Sequence, residues 1–211
     1  MGDKDKRYIL WYDEMEGADF PIVGKKNSNL GEMIKAGIPV SHGFAITIYA
    51  NDQFLVLTGI KEEIEKQITS LGKVTYETAK QASAIAMNLI EKAKMPEIIE
   101  REILDNYKKL CDQTCMSACP VAVRSSGAVS MPGQMETYLN ICGENDLIDY
   151  VKKCWASAYN TEAIMYRMNK GMPFLFNIGV GIPKMVNSRV SGIIFTINPI
   201  NGDPSKISID A

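Results

Sequence analysis

The sequence predicts a mixed α/β or α+β fold. Three observations carry this. Short apolar runs of strand type recur along the chain, a long middle stretch has helical spacing, and loops rich in small residues separate the two kinds of segment. Residues 8–12 (Tyr-Ile-Leu-Trp-Tyr) open as a strand. After Gly24 the pattern turns helical, with Leu30, Met33 and Ile34 on one face and Gly37 as its stop. Residues 39–47 predict a turn and then a short strand, Phe44-Ala45-Ile46. From Tyr49 to about Cys119 the chain is helical in character. Ile60, Ile64 and Ile68 recur every fourth residue, and Thr75 can cap a helix with Glu77 in its first turn. Pro96 suits the first position of another helix, whose apolar face is Ile99, Ile103 and Tyr107.

At Pro120 the grammar changes, dividing residues 1–120, with the helical stretch 49–119, from residues 121–211. Val121-Ala122-Val123 predicts a buried strand, and residues 124–134 a loop of Ser, Gly and Pro. Residues 138–141 predict another strand. Residues 147–168 return to helix with a break near Asn160. Two β-rich runs follow in 178–197, around Asn187-Ser188, and a last one at Ile207-Ser208-Ile209.

Composition narrows the function classes. In 211 residues, 23 basic against 25 acidic side chains leave a net charge of −2, so no global field draws in nucleic acid. No apolar stretch approaches a membrane span, and the first residues lack a secretory leader. Five cysteines, an odd number, fit reduced thiols and a cytoplasmic setting. Cys111, Cys115 and Cys119 would share one face if helical. Their spacing is not that of a zinc site, and small packing residues are the better reading. The single histidine, His42, has no acid or thiol near it in sequence.

Two segments could carry chemistry. Gly24-Lys25-Lys26-Asn27-Ser28 lies at a helix start, where free amides and a lysine attract anions, although a plain solvated helix start would look the same. It lacks the spacing of a Walker A loop. In the second segment a buried strand delivers Arg124, then Ser125, Ser126 and Gly127 open a small-residue loop. Arginine's planar fork suits phosphate oxygens, and small residues let amides close around them. An ordinary turn with a salt-bridged arginine is the equal alternative.

Taken together, these segments resemble the nucleotide-binding domain of the pyruvate, phosphate dikinase and phosphoenolpyruvate synthase family. The first motif is Gly24 to Met33, then Ala36-Gly37-Ile38-Pro39-Val40 and Gly43-Phe44. The second runs from Val121 to Asn140, with Arg124-Ser125, Ser130-Met131-Pro132-Gly133 and Gln134-x-Glu136-Thr137. Cys154 to Tyr159, Tyr166-Arg167, Met185-Val186 and Ser191 to Pro199 continue in order. The chain departs from the family at Lys25 and Asn27 (glycines there), His42 (proline), Glu162 (arginine) and Pro183 (glutamine).

The resemblance implies an ATP-grasp-like fold: a first lobe with a helical subdomain, and a second lobe beginning within 121–211 and incomplete at Ala211. It implies ATP as ligand. Lys26 and Arg124 are expected to hold the phosphates, and Ser125, Gly133, Glu136, Thr137, Lys184 and Met185 to complete the nucleotide site. Magnesium ligands are expected beyond this segment. The expected partners are a phosphohistidine domain and an acceptor-binding domain, in the same longer chain or in a partner subunit, as in phenylphosphate synthase. The implied reaction passes a phosphoryl or pyrophosphoryl group to that histidine and on to pyruvate, phenol or a similar acceptor, forming AMP. The alternative is a non-catalytic nucleotide-binding or regulatory module.

Overall fold

The computed structural model describes residues 3–70, 75–129, 131, 133 and 135–211, without the side chains of 68–70. The motif positions Ser130, Pro132 and Gln134, and the side chain of Ile68, therefore lie outside the described residues. Five strands form one antiparallel sheet: β1 (Ile9–Trp11), β2 (Gly43–Ile46), β3 (Val121–Ser126), β4 (Thr137–Ile141) and β5 (Gly179–Pro183). Their spatial order is β1-β2-β5-β3-β4, so the sheet draws strands from both sides of residue 120.

Side-chain alternation gives this sheet two different faces. On one, Ile9, Phe44, Ile46, Val121, Val123, Val180 and Ile182 join the main core. Helices α3 (Ile48–Leu57), α6 (Glu97–Gln113) and α7 (Glu144–Ser157) cover that face. Trp155 on α7 is fully buried there, its ring centroid 4.9 Å from Phe54 of α3. On the other face Leu10 and Ala45 pack with Tyr12, Met15 and Val23. The short helix α1 (Phe20–Val23) and the longer α2 (Lys25–Lys35) lie over it, with Leu30 and Ile34 turned inward.

The remaining helices build outward. α4 (Ile60–Ser70) and α5 (Tyr76–Lys92) complete the helical stretch, and α8 (Thr161–Asn169) packs on α5 through Ala79, Ala82 and Ile164. Thr75 caps α5 by accepting from the Thr78 amide at 3.2 Å, and Asn160 starts α8 by accepting from the Ala163 amide at 2.7 Å. Caps of this kind contribute about 1 kcal/mol each. Pro96 stands one residue before α6, as its cap, and Gly37 follows α2 at φ +75°. Past β5 the chain forms a separate ribbon, β6 (Ile193–Phe195) with β7 (Ser208–Asp210), whose apolar side chains are exposed.

The packing expectation holds for Cys111 and Cys119 but not for Cys115. α6 ends at Gln113, and Cys115 turns outward at φ +53° and is exposed. Cys111 and Cys119 are buried, with the Cys119 amide donating to Cys111 Sγ at 3.2 Å. No common helical face exists, because the helix stops between the second and first thiols.

Candidate functional site

The start of α2 is clamped onto the end of β3. Gly24 sits at φ +80°, and a Cβ there would lie 2.0 Å from the Ser126 carbonyl oxygen, so only glycine allows the approach. The Lys25 amide donates to the Gly127 carbonyl at 3.0 Å, and the Asn27 amide to Ser126 Oγ at 3.3 Å. Two amides of the first turn are thus spent inside the protein. This narrows the expectation of free amides: those of Lys25 and Asn27 are used within the protein, and the exposed charge at this helix start is carried by side chains.

Arg124 is placed by strand register. Leu10 pairs with Ala45, Ala45 with Gly181, Gly181 with Arg124, and Arg124 with Thr137, giving one cross-strand row on the α2 face. Gly181 is needed within it, because a Cβ would fall 2.4 Å from Asn27 Oδ1 and 2.9 Å from the Tyr12 hydroxyl. Asn27, which stands where the family has glycine, is buried here and donates to the Val23 carbonyl at 2.8 Å. Side by side, α2 and the row bring Lys26 and Arg124 into one electrostatic neighbourhood.

Partial burial first, and then the Arg124 guanidinium, hold the Lys26 ammonium below its ordinary value, with the Cys154 thiol opposing. The Tyr12 phenol is pushed up by full burial, and Arg124 opposes that shift. The Cys154 thiol is likewise raised by burial, opposed by Lys26 and reinforced by Glu136. Among the described residues no carboxylate lies within 4 Å of Lys26 or Arg124. The two cations share one field, with no counterion within 4 Å among the described residues. Such an arrangement is relieved by a polyanion.

The other expected site residues fall into three places. Glu136 and Thr137 stand at the start of β4, beside Arg124. The Glu136 amide donates to Ser157 Oγ at 3.2 Å, and Thr137 pairs directly with Arg124. Gly133, exposed at φ +69°, lies in the preceding loop. Ser125 points the opposite way from Arg124, fully buried on the helical face with Oγ unpartnered. Lys184 and Met185 lie toward the far end of β3: Lys184 bridges to Val121 and donates its amide to the His42 carbonyl at 2.8 Å, and Met185 donates to the Pro120 carbonyl at 2.8 Å. They line a cleft of about 590 Å³ with Ser41, His42, Met116 and Asn140.

The sequence reading missed Asn27, Gly179 and Gly181 as the residues that let α1 and α2 approach the sheet. A Cβ on Gly179 would lie 2.5 Å from the Val23 carbonyl oxygen. The signal was two glycines alternating within one strand, which marks close approach by another backbone or side chain. Among the described residues no three His, Cys, Asp or Glu side chains converge to hold a metal ion. No helix among them is long and apolar enough to cross a membrane.

Comparison with known proteins gives this geometry a family. Residues 20–211 match the family described as pyruvate phosphate dikinase, AMP/ATP-binding domain. The chain is 41% identical to a probable phosphoenolpyruvate synthase of Staphylothermus marinus, over 99% of its own length and 26% of that protein. It is 39% identical to the phosphoenolpyruvate synthase of Aeropyrum pernix, over 98% of its length and 26% of the relative. A probable phosphoenolpyruvate synthase of Methanocaldococcus jannaschii is 36% identical over the whole chain and 18% of the relative. The chain thus spans about a quarter or less of these relatives.

Proposed function

The chain belongs to the pyruvate phosphate dikinase AMP/ATP-binding domain family, and from that premise we propose that it binds ATP with the phosphates across Lys26 and Arg124. The observation that carries this is the pair of cations without counterions where α2 meets β3. Lys184 and Met185 line the separate cleft beside His42 and are assigned no contact with the phosphates: Lys184 bridges to Val121, whose side chain lies on the helical face, opposite to that of Arg124. Thr137 and Glu136 flank the phosphates, and Gly133 belongs to the loop that follows Arg124. Ser125 acts from beneath, through its backbone.

Lys26 and Arg124 would offset charge on the phosphate oxygens as a phosphoryl or pyrophosphoryl group leaves. Such transfer depends mainly on positioning and electrostatics. We place the accepting histidine on a separate domain or subunit, which delivers the group to pyruvate, phenol or a similar acceptor with AMP as the other product. Magnesium carboxylates belong elsewhere in the longer protein. The five-stranded sheet with α2 is then the first ATP-grasp lobe, residues 49–119 its helical subdomain, and the β6–β7 ribbon the start of a second lobe. The test is product analysis on the full-length protein with ATP and each acceptor. AMP formed only when an acceptor is supplied supports the reading; ADP as the nucleotide product overturns it.

A further inference from the structure

Arg167 has no part in the site described above, yet among the described residues it is the second-largest fully buried side chain. It lies on α8, and among the described residues no carboxylate pairs with it. Removing a guanidinium from water without an acid partner is costly, so the cavity that holds it must supply other compensation. Its guanidinium lies over two rings, 5.7 Å from the Tyr159 centroid and 5.2 Å from that of Phe176. One Nη donates to the Ala158 carbonyl, and the other to the Phe174 carbonyl at 3.3 Å. The Tyr159 hydroxyl in turn accepts from the Phe176 amide at 3.3 Å. The guanidinium therefore holds residues 174–176 in two ways, by hydrogen bonding to Phe174 and by cation–π contact with Phe176.

Phe176 carries that order to the phosphate end of the sheet. Its ring edge lies 3.5 Å from where a Cβ on Gly127 would be, so it rests against the Gly127 backbone. The Gly127 carbonyl is the acceptor for the Lys25 amide, one residue from Lys26. Gly127 is also three residues from Arg124 on the same strand end. A continuous contact path thus runs from Arg167 through Phe176 to the joint that sets the spacing of Lys26 and Arg124. We propose that Arg167 is a positioning residue, which through Phe176 holds Gly127 and so fixes the separation of the two phosphate-binding cations. This rests on the ATP reading given above.

The planar guanidinium is essential to the proposal, since an ammonium cannot stack on two rings and reach two carbonyls at once. The test measures ATP and AMP affinity by calorimetry in the full-length protein, for wild type, Arg167→Lys and Phe176→Leu. AMP has no β- or γ-phosphate for the spaced cations to hold. The expected result is that both variants lose roughly tenfold or more of ATP affinity, while AMP affinity stays within about twofold. Loss of ATP and AMP affinity in equal proportion overturns the proposal, since a merely structural residue would lower both with the folded fraction. Wild-type affinity for ATP in both variants overturns it as well. Phe176→Leu keeps the test decisive if Arg167→Lys fails to fold, because its side chain is only partly buried. A wild-type protein that binds neither nucleotide overturns the ATP reading itself, and this inference with it.

Discussion

At the scale of single residues the site depends on two cations of different kinds. Arg124 is exposed at the end of a buried strand, and its row partners Gly181 and Thr137 leave space around it. Its expected role uses a planar, bidentate fork. If the proposed activity holds, Arg124→Lys should lose roughly 100-fold or more in turnover of the full-length protein, nearly as much as Arg124→Ala. Near-normal turnover of the lysine variant would show that a point charge suffices. Lys26 adds a pH dependence of definite sign. Burial and Arg124 lower it in the free protein, and bound phosphate would favour its charged form. Around the lowered Lys26 value ATP binding should therefore be accompanied by proton uptake, and affinity should fall as pH rises through that value. For the unliganded fold the sign is reversed: the charged ammonium is a burden that is relieved as pH rises from that value toward the ordinary one. Calorimetry in buffers of different ionisation enthalpy reads the proton uptake, and Lys26→Met should abolish it. Uptake that persists in Lys26→Met would assign the proton to another group.

At the scale of elements the joint between α2 and the sheet depends on glycines. Gly24→Ala puts a Cβ against the Ser126 backbone at a positive φ and should destabilise the protein by about 3 kcal/mol or more. Gly181→Ala meets mainly the Asn27 side chain, which can shift, so it should cost roughly 1–3 kcal/mol. Urea unfolding checks the order. Equal losses would mean that backbone and side-chain clashes are relieved alike. The helices show which features were legible in sequence. Thr75, Asn160 and Pro96 mark helix starts by local chemistry, and Ile99, Ile103 and Tyr107 mark a buried face by spacing alone. The strands were legible as apolar runs for the same reason. Their pairing was not, because register is set by contacts between distant segments. The Asn27–Ser126 hydrogen bond spans 99 residues, and nothing in either motif alone predicts it. The charged pair was visible only as two separate segments, and the end of α6 before Cys115 was not visible because a helix end is decided by its tertiary surroundings.

At the scale of the whole molecule one sheet separates two environments. Its helical face is a continuous apolar core, and its α2 face narrows to the polar end where Lys26, Arg124 and Thr137 gather. The five cysteines are all free thiols, so the unfolding midpoint should not move when reductant is added. A midpoint lowered by reductant would reveal a disulfide. The β6–β7 ribbon is exposed along both strands, with Ile200 93% accessible. The proposed ATP site rests on Lys26 and Arg124, two cations with no counterion among the described residues. Calorimetric titration of the full-length protein with inorganic tripolyphosphate tests it without an adenine to confuse the reading. The account predicts binding by wild type that competes with ATP, and loss of roughly tenfold or more in affinity in Lys26→Ala and in Arg124→Ala. Tripolyphosphate binding of unchanged strength in both variants would contradict it.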